Sequence, residues 1–151
     1  LAGVDQGFVE ACGIARFCPN DSVTRADFVV MLAKAMDVEP ASTTRFSDIS
    51  GTVGGYAEAL KREGVVNGTT ATTFSPDREL TRAQFSALLA RALDLDPVPS
   101  PFRDTNTVHA DAIGALAERG VVRGCTPERF CPSDTITRAQ AATILTNEFG
   151  R

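Results

Sequence analysis

The amino-acid sequence predicts an all-α fold, mainly helical with irregular loops, made of tandem helix–loop–helix repeats. Three observations predict it. The stretch Phe130-Cys131-Pro132-Ser133-Asp134-Thr135-Ile136-Thr137-Arg138-Ala139-Gln140 has near-copies at Phe17–Asp27 and Phe74–Gln84, so that Thr24, Thr81 and Thr137 recur about every 56 residues. Each copy runs into apolar residues at helical spacing. The second and third copies are each preceded by a shorter helical pattern that closes on glycine, at Gly64 and Gly120.

Taken in order, Leu1 to Gly7 read as the tail of a helix, because Gly7 aligns with Gly64 and Gly120; the first repeat then lacks its front half. A loop from Cys12 to Ser22 leads to a helix from Thr24 to about Asp37. It carries Phe28, Leu32, Ala35 and Met36 on one face with Val29 beside it, and Glu39-Pro40 ends it. A polar linker, Ala41 to Arg45, precedes Phe46-Ser47-Asp48, which matches Phe102-Arg103-Asp104 one repeat later. Short first helices follow over about Gly55 to Glu63 and Ala110 to Arg119, and Val65-Val66-Asn67-Gly68 and Val121-Val122-Arg123-Gly124 then turn into the shared stretch. Second helices run from Thr81 to about Leu93, with Phe85, Leu88, Leu89, Ala92 and Leu93 on a stripe, and from Thr137 to about Phe149, with Ala141, Ile144, Leu145 and Phe149. Pro97, Pro99 and Pro101 make a stiff extended connector between repeats. A unit of two small helices buries little alone, so three should share one core, with the capped helices converging in a central three-helix bundle.

Thr followed three residues later by Gln, at Thr81/Gln84 and Thr137/Gln140, is the capping box, and Thr24 with Asp27 is its shorter variant. Val23/Phe28, Leu80/Phe85 and Ile136/Ala141 form the accompanying hydrophobic staple. Capping leaves the arginines unexplained. Arg25, Arg82 and Arg138 stand at the first helical position, where a cation opposes the helix dipole at a cost of a few tenths of a kcal/mol, roughly. Either each pairs with a nearby carboxylate, such as Asp21, Asp77 or Glu79, and Asp134, or the three helix N-termini with their guanidinium forks are anion sites for carboxylate or phosphate.

The 43% hydrophobic content is that of a soluble globular protein, with no apolar run long enough to span a bilayer and no visible charged-then-apolar leader. A net charge of -4, no tryptophan and one tyrosine argue against a nucleic-acid partner. The cysteines fall as Cys12/Cys18 and Cys125/Cys131, and both equivalents in repeat two have changed together, to Thr69 and Ser75. Two short-loop disulfides are the favoured reading, implying an oxidising, extracytoplasmic location; a zinc site is the alternative, against which stand the ligand spacing and a single histidine, His109. No nucleophile–base–orienter set is visible, so no enzyme is expected, and no cofactor or metal. Asp104-Thr105-Asn106-Thr107 lacks the spacing of a calcium loop and reads as a turn. Asn20-Asp21-Ser22 and Asn67-Gly68-Thr69 match the N-glycosylation pattern, a short motif with a high chance rate.

The sequence of Phe-x-Asp, a short helix ending in Gly-Val-Val-x-Gly, Phe-x-Pro and a hydrophobic-Thr-Arg-Ala-(Gln/Asp) helix resembles the S-layer homology domain, usually three tandem copies. The resemblance runs from about Gly7 to the C-terminus and divides the chain into repeats at 1–40, 41–96 and 97–151, together one compact domain. It implies a pseudo-threefold prism around the three-helix bundle, with ligand grooves between neighbouring repeats. It also implies attachment of an extracellular protein to bacterial cell-wall polysaccharide, often bearing ketal-linked pyruvate. The family's Thr-Arg-Ala-Glu arginine binds the acidic sugar, which carries that role to Arg25, Arg82 and Arg138. The family glutamate is replaced here by Asp27, Gln84 and Gln140, and a tryptophan near the first helix by Tyr56 and His109, candidates to touch the sugar. The competing function is a protein–protein module for surface-layer assembly, with the arginines paired internally.

Overall fold

The computed structural model describes residues 18, 20–105 and 108–150. The expected helical tail at Leu1–Gly7, and Cys12 with its expected bond to Cys18, lie outside them. The described residues form five helices, α1 (Arg25–Ala35), α2 (Gly51–Arg62), α3 (Arg82–Ala92), α4 (Ala110–Glu118) and α5 (Arg138–Phe149). No strand occurs among them. The extended residues ahead of the capped helices make isolated antiparallel bridges only, Thr24 with Glu79, Thr81 with Thr135 and Ser22 with Thr137.

The threonines start helices as their spacing predicts. Thr81 and Thr137 complete reciprocal capping boxes: each hydroxyl accepts from the glutamine N–H, and the Gln84 and Gln140 amide oxygens accept from the threonine N–H at 3.0 Å. Thr24 accepts from the Asp27 N–H at 3.1 Å, but aspartate is one methylene too short to return the favour. The staple residues Val23, Leu80 and Ile136 are buried with Phe28, Phe85 and Ala141. Asp37 and Asp94 take the left-handed conformation just past α1 and α3, where Val38 and Leu95 donate back to Ala33 and Ala90. Gly64 and Gly120 end α2 and α4 at positive φ, as expected.

Two departures from the sequence reading have physical causes. Helix α2 begins at Gly51, a turn earlier than the periodicity suggests, because the glycines that argue against helix are needed for contact: a Cβ on Gly55 would stand 3.0 Å from Pro40 Cβ. Helix α1 is buried almost all round, through Phe28, Val29, Val30, Met31, Leu32 and Ala33, rather than along one stripe. A helix apolar on every side belongs inside a core.

The chain divides into two compact units, Leu1–Glu79 with Thr137–Arg151, and Leu80–Ile136. In the first, α1 packs against α2 and α5; in the second, α3 packs against α4. Each unit therefore joins the capped helix of one sequence repeat to the first helix and loop of the next, half a repeat out of phase with the sequence.

Entry to the first helix is secured by different chemistry in the two units. Ahead of α2, Ala41 donates to Gly55 O at 2.9 Å, and Arg45 grips Glu58 through its backbone N–H, Nε and Nη2 at 2.8 to 3.2 Å, while Arg62 reaches the same carboxylate at 3.2 Å. Ahead of α4, Val98 donates to Asp111 O, and the proline connector lies so close that a Cβ on Gly114, the counterpart of Glu58, would stand 2.7 Å from Pro99 O. A further exchange occurs in the loops. Cys125 and Cys131 form a disulfide with Cα atoms 6.1 Å apart, and at the matching positions of repeat two Thr69 Oγ1 and Ser75 Oγ share a hydrogen bond of 2.8 Å.

Hydrogen bonds from Arg45 hold the Glu58 carboxyl down to about 2 from its ordinary 4.5. A depressed carboxylate stabilises the fold fully above its unfolded value and loses that contribution as pH falls through the folded one. Glu58→Gln should therefore cost about 2 kcal/mol at neutral pH, and in urea titrations at stepped pH the gap to wild type should close between about 4.5 and 2. The pair Thr69→Cys with Ser75→Cys should close a disulfide, read by thiol titration, and raise stability by about 2 kcal/mol in non-reducing buffer only.

Candidate functional site

Two of the motif arginines, Arg25 and Arg82, leave the helix axis and fold onto a loop of the next repeat. Arg25 Nε donates to Phe74 O at 2.8 Å and Nη2 to Asn67 O at 2.7 Å, with the guanidinium carbon 4.4 Å from the Phe74 ring centroid. Arg82 repeats this on Phe130 O at 3.0 Å and Arg123 O at 2.6 Å, again 4.4 Å from the ring of Phe130. Two charge-assisted hydrogen bonds at about 1.5–3 kcal/mol each, and a cation–π contact of about 0.5–2, outweigh the few tenths lost to the helix dipole. The placement that looked unfavourable in sequence is settled by contacts made far along the chain.

The gripped peptides are held from the other side by an aspartate. Asp48 accepts from the Phe74 and Ser75 N–H groups, both at 2.8 Å, and Asp104 from Phe130 and Cys131 at 2.8 and 2.9 Å. These backbone donors hold the Asp48 carboxyl below its usual range; at Asp104 burial pushes upward but the donations from Phe130 and Cys131 prevail. Ser75 and Cys131 sit at φ of 60° and 59°, directly before a proline, where a side chain and the following ring both disfavour the backbone. The paired donations to aspartate offset that strain. Phe46 and Phe102 complete each cluster, their rings 5.3 and 5.4 Å from Phe74 and Phe130.

Neither Arg25 nor Arg82 makes an ion pair among the described residues; the alternative of pairing with a nearby carboxylate, Asp21 for Arg25 and Asp77 or Glu79 for Arg82, gives way to backbone carbonyls. Both are half-buried. Burial lowers the pKa of each, Arg78 adding to this at Arg25 and Asp48 opposing it, and Asp134 opposing it at Arg82. Their Nη1 donors are not drawn into these bonds. A partly desolvated cation with donors unspent is suited to an anionic oxygen.

Arg138 differs. Its side chain is 4% exposed, and Nη1 donates to Asp27 Oδ2 at 3.0 Å across 111 residues of chain. Gln84 and Gln140 spend their amide oxygens on the caps. Tyr56 is half-buried on α2, and His109 is the cap residue of α4, its pKa lowered by burial and then by Arg91. Sequence reasoning missed Asp48, Asp104 and Glu58 as fixing residues. The recurrence of Phe-x-Asp was the available signal for the first two; Glu58, replaced by Gly114 one repeat on, gave none.

The family model of the S-layer homology domain matches residues 45–86 and 101–142, more than half of the chain, covering the second and third copies. Among known proteins the chain is 35% identical over 126 residues to an endoglucanase of Bacillus sp. strain KSM-635, covering 81% of this chain and 13% of that one. It is 26% identical over 152 residues to an S-layer protein of Bacillus thuringiensis subsp. finitimus, covering 94% of this chain and 18% of that one. To cell surface glycoprotein 1 of Acetivibrio thermocellus it is 33% identical over 106 residues, 66% of this chain and 4% of that one. The chain thus spans less than a fifth of each of these relatives. With two copies of the motif matched in full, the chain belongs to the S-layer homology domain family.

Proposed function

We propose that this chain is a non-catalytic anchoring module of the bacterial cell surface, binding an anionic wall polysaccharide, one bearing ketal-linked pyruvate, through the arginines at the heads of α1 and α3. The reading includes three repeats, at 1–40, 41–96 and 97–151, as one compact domain, a prism about a three-helix bundle with ligand grooves between neighbouring repeats. The observation that carries it is the pair of half-buried guanidiniums, Arg25 and Arg82, fixed by loop carbonyls and without a carboxylate partner among the described residues. The relatives support the same view. An endoglucanase and an S-layer protein share this segment over less than a fifth of their lengths, so its role is one that both kinds of protein need, and retention at a surface is such a role. A pyruvate ketal presents a carboxylate to the fork and an apolar methyl beside it. Tyr56 and His109, with Asp27, Gln84 and Gln140, remain candidates for sugar contact. The alternative, an assembly module contacting other surface-layer chains, calls for guanidiniums closed off by internal carboxylates, whereas the acceptors of Arg25 and Arg82 among the described residues are main-chain carbonyls.

Co-sedimentation of the protein with purified wall polysaccharide tests this. The double variant Arg25→Ala, Arg82→Ala should lose at least tenfold in retention. Because those arginines also hold loops, the decisive arm alters the glycan instead: mild acid removal of pyruvate should abolish retention of the unmodified protein, and full retention on the stripped glycan would overturn the mechanism. Retention should also fall as salt rises from about 0.01 to 1 M, as charge screening requires.

A further inference from the structure

We propose that Arg138 is not a capture site: Asp27 supplies it, from within the chain, with the carboxylate that a glycan would bring to Arg25 and Arg82, and the pair latches the first capped helix to the last. The inference rests on the anionic-glycan reading for the other two arginines.

The three motif arginines are equivalent in sequence and unequal in environment. Arg138 Nη1 meets Asp27 Oδ2 at 3.0 Å, and its side chain is 4% exposed, whereas Arg25 and Arg82 are half-buried. The ion pair, with Arg138 buried and Asp27 40% exposed, lies along a seam: Arg138 N donates to Asp21 O at 2.8 Å, Ser22 bridges Thr137, and α1 packs against α5.

The residue that makes the difference is the one that departs from its sister copies. Gln84 and Gln140 turn their amide oxygens back onto their own caps. Asp27 cannot reach its cap N–H, so its carboxylate projects to the arginine instead, and only a carboxylate can neutralise a cation buried to this degree. An external anion would have to displace a charge already tethered at contact distance, against the effective concentration of an intramolecular partner. The arginine that closes the seam is thereby withdrawn from the ligand.

Titration of arginine-15N-labelled protein with a simple glycoside carrying ketal-linked pyruvate, followed at the guanidinium Nε–H resonances, reads each arginine separately without any mutation. Arg25 and Arg82 should shift with ligand and Arg138 should not, and calorimetry should give one ligand for each of the two. An Arg138 resonance that moves with the same midpoint, or a third equivalent of ligand, would overturn the proposal. Thermal melts of Asp27→Asn, which keeps the backbone bond to Thr24, read the latch independently: a lowered Tm is expected, and an unchanged Tm would overturn it. If no arginine shifts while Asp27→Asn still melts early, the glycan reading fails and the latch stands.

Discussion

The constraint on which the rest depends is the fixing of one peptide group in each loop. The Phe74 carbonyl is taken by Arg25 from the preceding capped helix, and the Ser75 N–H of the same peptide group by Asp48 from the start of that repeat. The peptide joining Phe130 to Cys131 is held in the same way by Arg82 and Asp104. With the peptide fixed, the phenylalanine ring is aimed into the core and the next residue is forced into the left-handed region ahead of proline. Three sequence features that look unrelated, Thr-Arg-Ala, Phe-x-Asp and Phe-x-Pro, are parts of one clamp.

The clamp tolerates substitution around it because its neighbours solve their problems locally. An ion pair centred on Glu58 and a proline segment laid over Gly114 bring the linker to the same place. A hydroxyl pair and a disulfide brace the same loop. The copies can diverge at these points without disturbing the peptide between Arg and Asp, and at Asp27 the divergence changes what the arginine opposite is available to do.

Much of this was legible in sequence because it is local. Thr81 and Gln84 sit within one helical turn, Cys125 and Cys131 within one loop, and Gly64 and Gly120 at helix ends, so spacing alone specifies their partners. The arginine contacts were not legible, since their acceptors are main-chain carbonyls of Phe74, Asn67, Phe130 and Arg123, and a carbonyl leaves no residue signature. Periodicity misplaced the start of α2 because glycine was counted against helix when the approaching linker demanded it. Arg138 was expected to behave as its copies do, and its acidic partner lies 111 residues away, beyond the reach of any local pattern.

The half-repeat offset between sequence copies and compact units bears on how such chains grow or shrink. A gene segment coding for one whole copy carries a helix whose arginine has lost its loop, and a loop whose arginine has stayed behind. Excision of a single copy thus leaves two broken halves, while an in-frame duplication supplies matching halves at both new seams, so lengthening an array is structurally easier than isolating a member of it.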